Sequence, residues 1–87
     1  MDDWRLDFVR KFRGVEFKLS PWKSLSREWD HDHCVACGAK LSDKGGSDVL
    51  REGYATTVNY VHGPYYHWVC SECFHDLKDK VGWVEVK

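Results

Sequence analysis

Two pairs of cysteines restrict the folds available to this chain more than any other feature. Cys34 and Cys37 form one C-x2-C pair, Cys70 and Cys73 form the other, and the sequence contains four cysteines in all. Two residues between cysteines let both sulfurs turn onto one ion, and two such pairs supply the tetrahedral four-sulfur shell that zinc favours. The intervening residues 38–69 make a long spacer, which a hairpin can fold back to its start. The spacing therefore predicts one Zn²⁺ bound by these four cysteines.

Other uses of the same cysteines stay open. Disulfides would need an oxidising environment, and a redox-active pair would need a thioredoxin-like βαβ frame, which does not fit this sequence. Iron uses the same four sulfurs as zinc, and His31 or His33 could replace one cysteine as a ligand. With four cysteines as ligands, no coordination position remains for an activated water, so the predicted role of the metal is structural.

The length of the chain limits its architecture. Its 87 residues are enough for one domain and exclude a two-domain enzyme or a large open α/β sheet. Apolar residues make up 43% and charged residues 31%, which is a globular composition. We predict a single domain over residues 1–87, with an N-terminal extension at 1–29 and a zinc-bound core at 30–87.

The first residues carry no targeting pattern. Met1 to Arg5 contain no positive stretch followed by an apolar one, as a secretory signal would. No run of the sequence approaches the ~18 apolar residues of a membrane span. We therefore expect a cytoplasmic location and no membrane partner. In that reducing compartment, paired cysteines more often bind metal or do redox chemistry than form structural disulfides.

The sequence of the N-terminal extension predicts a short helix followed by a strand. Residues 3–12 carry aromatic side chains at helical spacing, and Gly14 would end that helix. These side chains belong to Trp4, Phe8 and Phe12. Residues 15–19 alternate apolar and polar, which is typical of a strand, whereas residues 22–29 are ambiguous.

Two β-rich segments in the second half predict a hairpin. Residues 54–60 and 65–69 are rich in aromatic and β-branched side chains, and the His-Gly-Pro sequence at 62–64 lies between them. Residues 42–48 have the composition of a loop.

A helix and a last strand are predicted after the hairpin. Ser71 would cap a helix that runs to about Val81, Gly82 would end it, and residues 83–86 would form a strand. One continuous apolar stripe is expected on this helix, formed by Cys70, Cys73, Phe74, Leu77 and Val81.

The order of these features resembles the treble-clef zinc fingers. In that class a C-x2-C-G knuckle, a β-hairpin and a second C-x2-C at the first turn of a helix bind one zinc ion. Cys34 and Cys37 match the knuckle, residues 54–69 match the hairpin, and Cys70 and Cys73 match the helical pair. The resemblance implies a small α+β fold with an N-terminal helix and strand added to it.

The resemblance covers roughly residues 33–82 and implies no activity. Treble clefs include ribosomal proteins, nucleases, ubiquitin-pathway modules and scaffolds, so the fold does not determine the function. The wider wording of the sequence, from WDHDHCVACG at 29–38 to VCSECF at 69–74, is similar to a group of small, functionally uncharacterised bacterial zinc-binding proteins.

An acidic and histidine-rich segment, Asp30 to His33, directly precedes the first cysteine. We expect Asp32 and His33 to form hydrogen bonds around the knuckle.

A second metal site or a catalytic dyad is the alternative, since His-Me finger nucleases carry a similar string. In those nucleases the string lies between the two zinc pairs, whereas here it precedes the first. Further candidates for that chemistry are Asn59, His62, His67 and His75, of which His67 is interpreted mainly as a packing residue.

Charge is unevenly distributed although the formal total is −1. Residues 4–27 concentrate the basic side chains, interleaved with aromatic ones, while residues 28–87 are acidic overall. Such a mixture can bind single-stranded nucleic acid through phosphate contacts and base stacking; alternatively, the aromatics form the core and the charges stay in water. The candidate surface comprises Arg5, Arg10, Lys11, Arg13, Lys18, Lys23 and Arg27.

These observations favour a non-enzymatic, zinc-stabilised module whose partner is another protein and which has no small-molecule substrate. Nucleic-acid binding through segment 4–27 is the first alternative, and a His-Me type nuclease is the second. Structural zinc contributes about 10–16 kcal/mol, which exceeds the net stability of many domains, so we expect folding to depend on zinc.

Overall fold

The structure, a computed structural model, describes residues 3–87 and has the predicted α+β class. It contains two α-helices, a 3-10 turn, a four-stranded sheet and a two-stranded sheet. In chain order the elements are α1 (Leu6–Val9), the 3-10 turn (Arg10–Phe12), β1 (Glu16–Pro21), β2 (Asp32–His33), β3 (Lys40–Leu41), β4 (Glu52–Thr56), β5 (Trp68–Val69), α2 (Ser71–Val81) and β6 (Val84–Val86).

The larger sheet has the strand order β5-β4-β1-β6. β1 runs antiparallel to β4, with Phe17 opposite Thr56, and parallel to β6, with Glu16 opposite Val84. Both the strand predicted after Gly14 and the last strand are therefore confirmed. β1 belongs to the predicted N-terminal extension, yet it is an inner strand of this sheet. The division of the chain at residue 30 stays a prediction.

The N-terminal helix is shorter than the sequence predicts. One α-helical turn gives way to a 3-10 turn at Arg10, and this change of period takes positions i, i+4 and i+8 off a common face. Phe12 is buried, but Trp4 and Phe8 are 59% and 55% exposed. The prediction of one helix over residues 3–12 is therefore wrong in its extent, and only Phe12 of the three aromatic side chains is buried.

The predicted hairpin is confirmed as β4 and β5, but its strands are shorter. The Thr56 hydroxyl donates to the Gly63 carbonyl at 3.0 Å and accepts the N–H groups of Tyr66 and His67 at 3.0 and 3.3 Å. The Thr56 backbone also bonds across the hairpin, because its N–H donates to the His67 carbonyl at 3.1 Å and its carbonyl accepts the Tyr65 N–H at 3.0 Å. These contacts hold the connection between β4 and β5 as a folded loop.

Helix α2 has the predicted length, and Gly82 ends it in the left-handed region at φ +86°, where glycine meets no steric penalty. Its N-cap is Cys70, whose sulfur accepts the Cys73 N–H, so the prediction of a Ser71 cap is wrong. Cysteine takes the place of an oxygen-bearing cap because its sulfur faces the first helical turn.

Aromatic rings join α2 to the larger sheet. Phe74 of α2 stacks on Tyr54 of β4, with ring centres 3.8 Å apart and planes 7° apart. The same ring lies parallel to Trp83 at 5.7 Å and edge-on to Phe17 at 6.2 Å. Each ring buries about 150–250 Å², so these four side chains form much of the core.

The smaller sheet carries the first cysteine pair toward the larger one. β2 and β3 pair antiparallel, with His33 opposite Lys40. Cys34 then forms a parallel bridge with Trp68 of β5, and the Val35 N–H donates to the Trp68 carbonyl at 2.9 Å. Within residues 3–87, none of the helices has both the length and the apolar character needed to cross a membrane.

Candidate metal centre

The four cysteine sulfurs come together at one point. The Sγ atoms of Cys34, Cys37, Cys70 and Cys73 all lie within 4.8 Å of one another, and Cys37 Sγ is 3.7 Å from Cys70 Sγ. A tetrahedral Zn²⁺ with bonds of about 2.3 Å requires sulfurs about 3.8 Å apart. The cluster therefore has the dimensions of a four-cysteine zinc site.

The turn between β2 and β3 positions the first pair. The Cys34 N–H donates to the Ala39 carbonyl at 2.8 Å, and the Gly38 N–H donates to the Cys34 carbonyl at 2.9 Å. Gly38 has φ +82°, a conformation that other residues adopt only with strain. The Ala36 N–H points at Cys34 Sγ at 3.4 Å, which stabilises a thiolate there.

The first turn of α2 positions the second pair. The Cys73 N–H donates to Cys70 Sγ at 3.5 Å, and the Phe74 N–H donates to the Cys70 carbonyl at 2.9 Å. The positive end of the helix dipole lies here, and it favours negative charge on both sulfurs.

The close approach of the four sulfurs shifts the pKa values of the cysteine thiols. The hydrogen bond from Cys70 lowers the pKa of the Cys34 thiol to about 4, and the same bond raises the pKa of Cys70 above its ordinary value. Burial raises the pKa of Cys73 to about 12, an effect that the Arg5 hydrogen bond partly offsets. Thiolates this close together repel one another, and a cation bound between them would stabilise the set. Zinc matches this donor set in charge and geometry.

Three of the four cysteines are buried and Cys37 is exposed. Within residues 3–87, the cysteines form the one group of three or more Cys, His, Asp or Glu side chains close enough to bind an ion. The segment Asp30 to His33 forms no such group, so the alternative of a second metal site there is not supported.

Asp32 contacts two indoles. Its Oδ2 accepts the Trp22 and Trp29 N–H groups at 2.9 and 2.8 Å. Burial raises the pKa of Asp32, and the two indole hydrogen bonds partly offset that effect. These bonds tie the segment between β1 and β2, which the sequence left ambiguous, to the strand that leads into Cys34.

The histidines named as catalytic candidates contact other aromatic side chains. His33 is exposed, and its ring meets that of His31 edge-on at 4.9 Å. His67 packs edge-on against Phe12 at 4.9 Å, and burial lowers its pKa. The His75 Nε2 atom lies 3.5 Å from the Tyr54 hydroxyl. The interpretation of His67 as a packing residue agrees with these contacts.

The seven basic residues of segment 4–27 do not share one environment. Arg5 is half-buried against Cys73, whereas the other six are exposed. Lys11 lies over the Phe12 ring, with its Nζ atom 5.4 Å from the ring centre. Sequence reasoning missed the role of Arg5 because no local pattern links a residue near the N-terminus to a sulfur 68 positions later.

The metal assignment depends on the sulfur geometry and on the chemistry of the four-cysteine donor set. A comparison of the chain with protein-family models, with curated proteins and with solved structures found no match.

Proposed function

We propose that this chain is a non-enzymatic, zinc-stabilised interaction module of treble-clef type that binds another protein. The observation that carries the proposal is the convergence of four cysteine sulfurs within 4.8 Å. The treble-clef assignment is supported by the order of elements: a cysteine knuckle between β2 and β3, the β4–β5 hairpin, and α2 beginning at the second cysteine pair.

The donor set supports a structural role for the metal. Catalytic zinc sites keep one position for water or substrate, whereas four cysteines fill the tetrahedral shell. The site joins the knuckle to α2, and α2 packs on the larger sheet through Phe74. The metal would therefore stabilise the surface that the module presents.

A pair of exposed aromatic rings supports a protein partner. Trp4 and Phe8 are each more than half exposed, and their rings meet edge-on at 5.9 Å. Large aromatics are enriched at protein interfaces and supply much of the binding energy there. Adjacent exposed rings such as these are where we expect the partner to bind.

Site-specific photo-crosslinking tests this surface. Phe8 is replaced by benzoylphenylalanine in the zinc-loaded protein, which is then irradiated in an extract of cells that express it. We expect a discrete crosslinked protein that is lost when Trp4→Ala is added. The same probe at Val61, which is 83% exposed on the β4–β5 loop, is the matched control. Identical products from both positions would contradict the proposal.

Nucleic-acid binding is the second candidate, and a stacked group on the β4–β5 loop favours it. His62 stacks on Tyr66 with ring centres 4.7 Å apart, and Tyr60 contacts both rings at 5.7 and 6.3 Å. His62 is exposed and both tyrosines are partly exposed, so these rings could stack bases. Binding of single-stranded RNA that falls steeply with salt and weakens at least about fivefold in Tyr66→Ala would support this candidate.

A further inference from the structure

The Arg5 side chain connects the N-terminal segment to the metal centre. Its Nη1 donates to Cys73 Sγ at 3.4 Å and to Asp76 Oδ2 at 3.3 Å. Its Nε and Nη2 donate to the Asp3 carboxylate at 2.9 and 2.5 Å. The side chain is 18% exposed, so one guanidinium, here called the Arg5 bridge, joins two carboxylates and one cysteine sulfur.

The two carboxylates hold the guanidinium in place. Asp3 also accepts the Arg5 backbone N–H on its side chain at 3.0 Å, and its carbonyl accepts the Leu6 N–H at 3.0 Å. Asp76 lies on α2, one helical turn after Cys73. Because the guanidinium fork is planar and rigid, anchoring on both sides fixes the N–H group that points at the sulfur.

A guanidinium that donates a hydrogen bond to a metal-bound thiolate stabilises the negative charge of the metal centre. Four thiolates around Zn²⁺ leave a net charge of about −2 on the centre, and a charge-assisted hydrogen bond stabilises it more than a neutral one. A guanidinium fixed on two carboxylates would hold the Cys73 sulfur in its metal-binding position. The same segment also lies beside the centre, since Trp4 lines a cleft together with Cys37 and Cys70.

We infer that Arg5 is a positioning residue for the zinc site and that the N-terminal segment slows loss of the metal through the Arg5 bridge. The inference rests on the proposed zinc-stabilised function. It assigns Arg5 to the metal centre instead of to the basic nucleic-acid surface that the sequence suggested.

Metal transfer to a chelator tests the inference. Zinc-loaded wild-type protein, Arg5→Ala, Arg5→Lys and the control Arg10→Ala are mixed with excess EDTA, and the rate of zinc release is measured. Partners that orient metal ligands typically contribute 10- to 100-fold in affinity, so we expect release from Arg5→Ala to be about tenfold faster or more. Arg5→Lys should be intermediate, and Arg10→Ala, exposed on the same segment, should match wild type.

A spectroscopic measurement separates this role from a merely structural one. In the cobalt-loaded proteins, loss of a hydrogen bond to sulfur should shift the thiolate-to-cobalt charge-transfer band in both Arg5 variants but not in Arg10→Ala. Arg5→Lys keeps the positive charge and preserves the test if Arg5→Ala folds poorly. Equal release rates and unshifted bands in the Arg5 variants would overturn the Arg5 bridge alone. A wild-type protein that binds no zinc would overturn the zinc-stabilised function as well.

Discussion

Cys37 Sγ lies 3.7 Å from Cys70 Sγ, although one residue belongs to the turn between β2 and β3 and the other caps α2. This contact joins the two sheets and the helix at a single point. Bringing together two residues that are 33 positions apart costs conformational entropy when the chain folds. An ion bound by both residues would offset that cost.

Replacing Cys37 tests zinc-linked folding with little change in packing. Cys37 is exposed, so Cys37→Ser removes one predicted zinc ligand without removing a buried apolar side chain. Structural zinc is worth about 10–16 kcal/mol, against a typical net stability of about 5–15 kcal/mol. We expect the variant to lose its cooperative thermal transition by circular dichroism. The exposed residue Ser71, which follows Cys70 at the start of α2, supplies the control Ser71→Ala, which should bind one zinc and unfold like wild type. A Cys37→Ser protein with a sharp transition and no zinc would contradict the prediction, as would a Cys73→Ser protein that behaves in this way.

Gly53 is expected to resist substitution because the two sheets approach closely at β4. A Cβ atom there would lie 2.9 Å from the Val69 carbonyl oxygen and 2.8 Å from a methyl of Leu41. We expect Gly53→Ala to lower the free energy of unfolding by about 1–3 kcal/mol, measured by urea denaturation of the zinc-loaded protein. Gly46→Ala is the matched control, since its nearest neighbour would be 3.5 Å away. Equal midpoints for both variants would argue against the close approach.

Removing the Asp32 carboxylate should leave two indoles without their acceptor. Trp22 is 5% exposed, and an unsatisfied buried donor costs about 1–3 kcal/mol. We therefore expect Asp32→Ala to be destabilised by about that amount in urea denaturation. Asp32→Asn, which keeps an acceptor oxygen, should lose less. The exposed residue Asp43 supplies the control Asp43→Ala, and a loss of similar size there would show that the indole bonds are not the cause.

The titration of His67 tests its packing against Phe12. Burial, followed by the positive charge of Lys11, lowers its pKa, so the neutral ring is favoured in the folded protein. This contribution to stability is complete above the unfolded value of about 6.5. It is lost as the pH falls through the lower folded pKa.

Proton NMR of the His67 ring, assigned with His67→Gln, should therefore give a midpoint below 6.5. Lys11→Gln should raise that midpoint, while Lys18→Gln, at another exposed position, should not. A midpoint at or above the ordinary histidine value would show that the ring is not packed as described.

Local spacing was enough to predict much of this fold. Helix α2 was predicted because Phe74, Leu77 and Val81 recur at helical spacing and Gly82 follows. β1 was predicted from alternation, the β4–β5 hairpin from its β-rich segments, and the four-cysteine cluster from the two C-x2-C pairs, whereas β2 and β3 were not predicted. The exposed positions of Trp4 and Phe8 were not predicted, because a change from α to 3-10 geometry after Val9 alters the helical period.

The sequence by itself determined the α+β class, the helix that carries the second cysteine pair and the four cysteines of the candidate metal site, since each follows from short local patterns. Only the tertiary structure decided that β1 is an inner strand, that Asp32 accepts two indole hydrogen bonds and that Arg5 donates to Cys73. These relationships depend on which distant surfaces bury each other. Periodicity and spacing indicate only the secondary structure of a single segment.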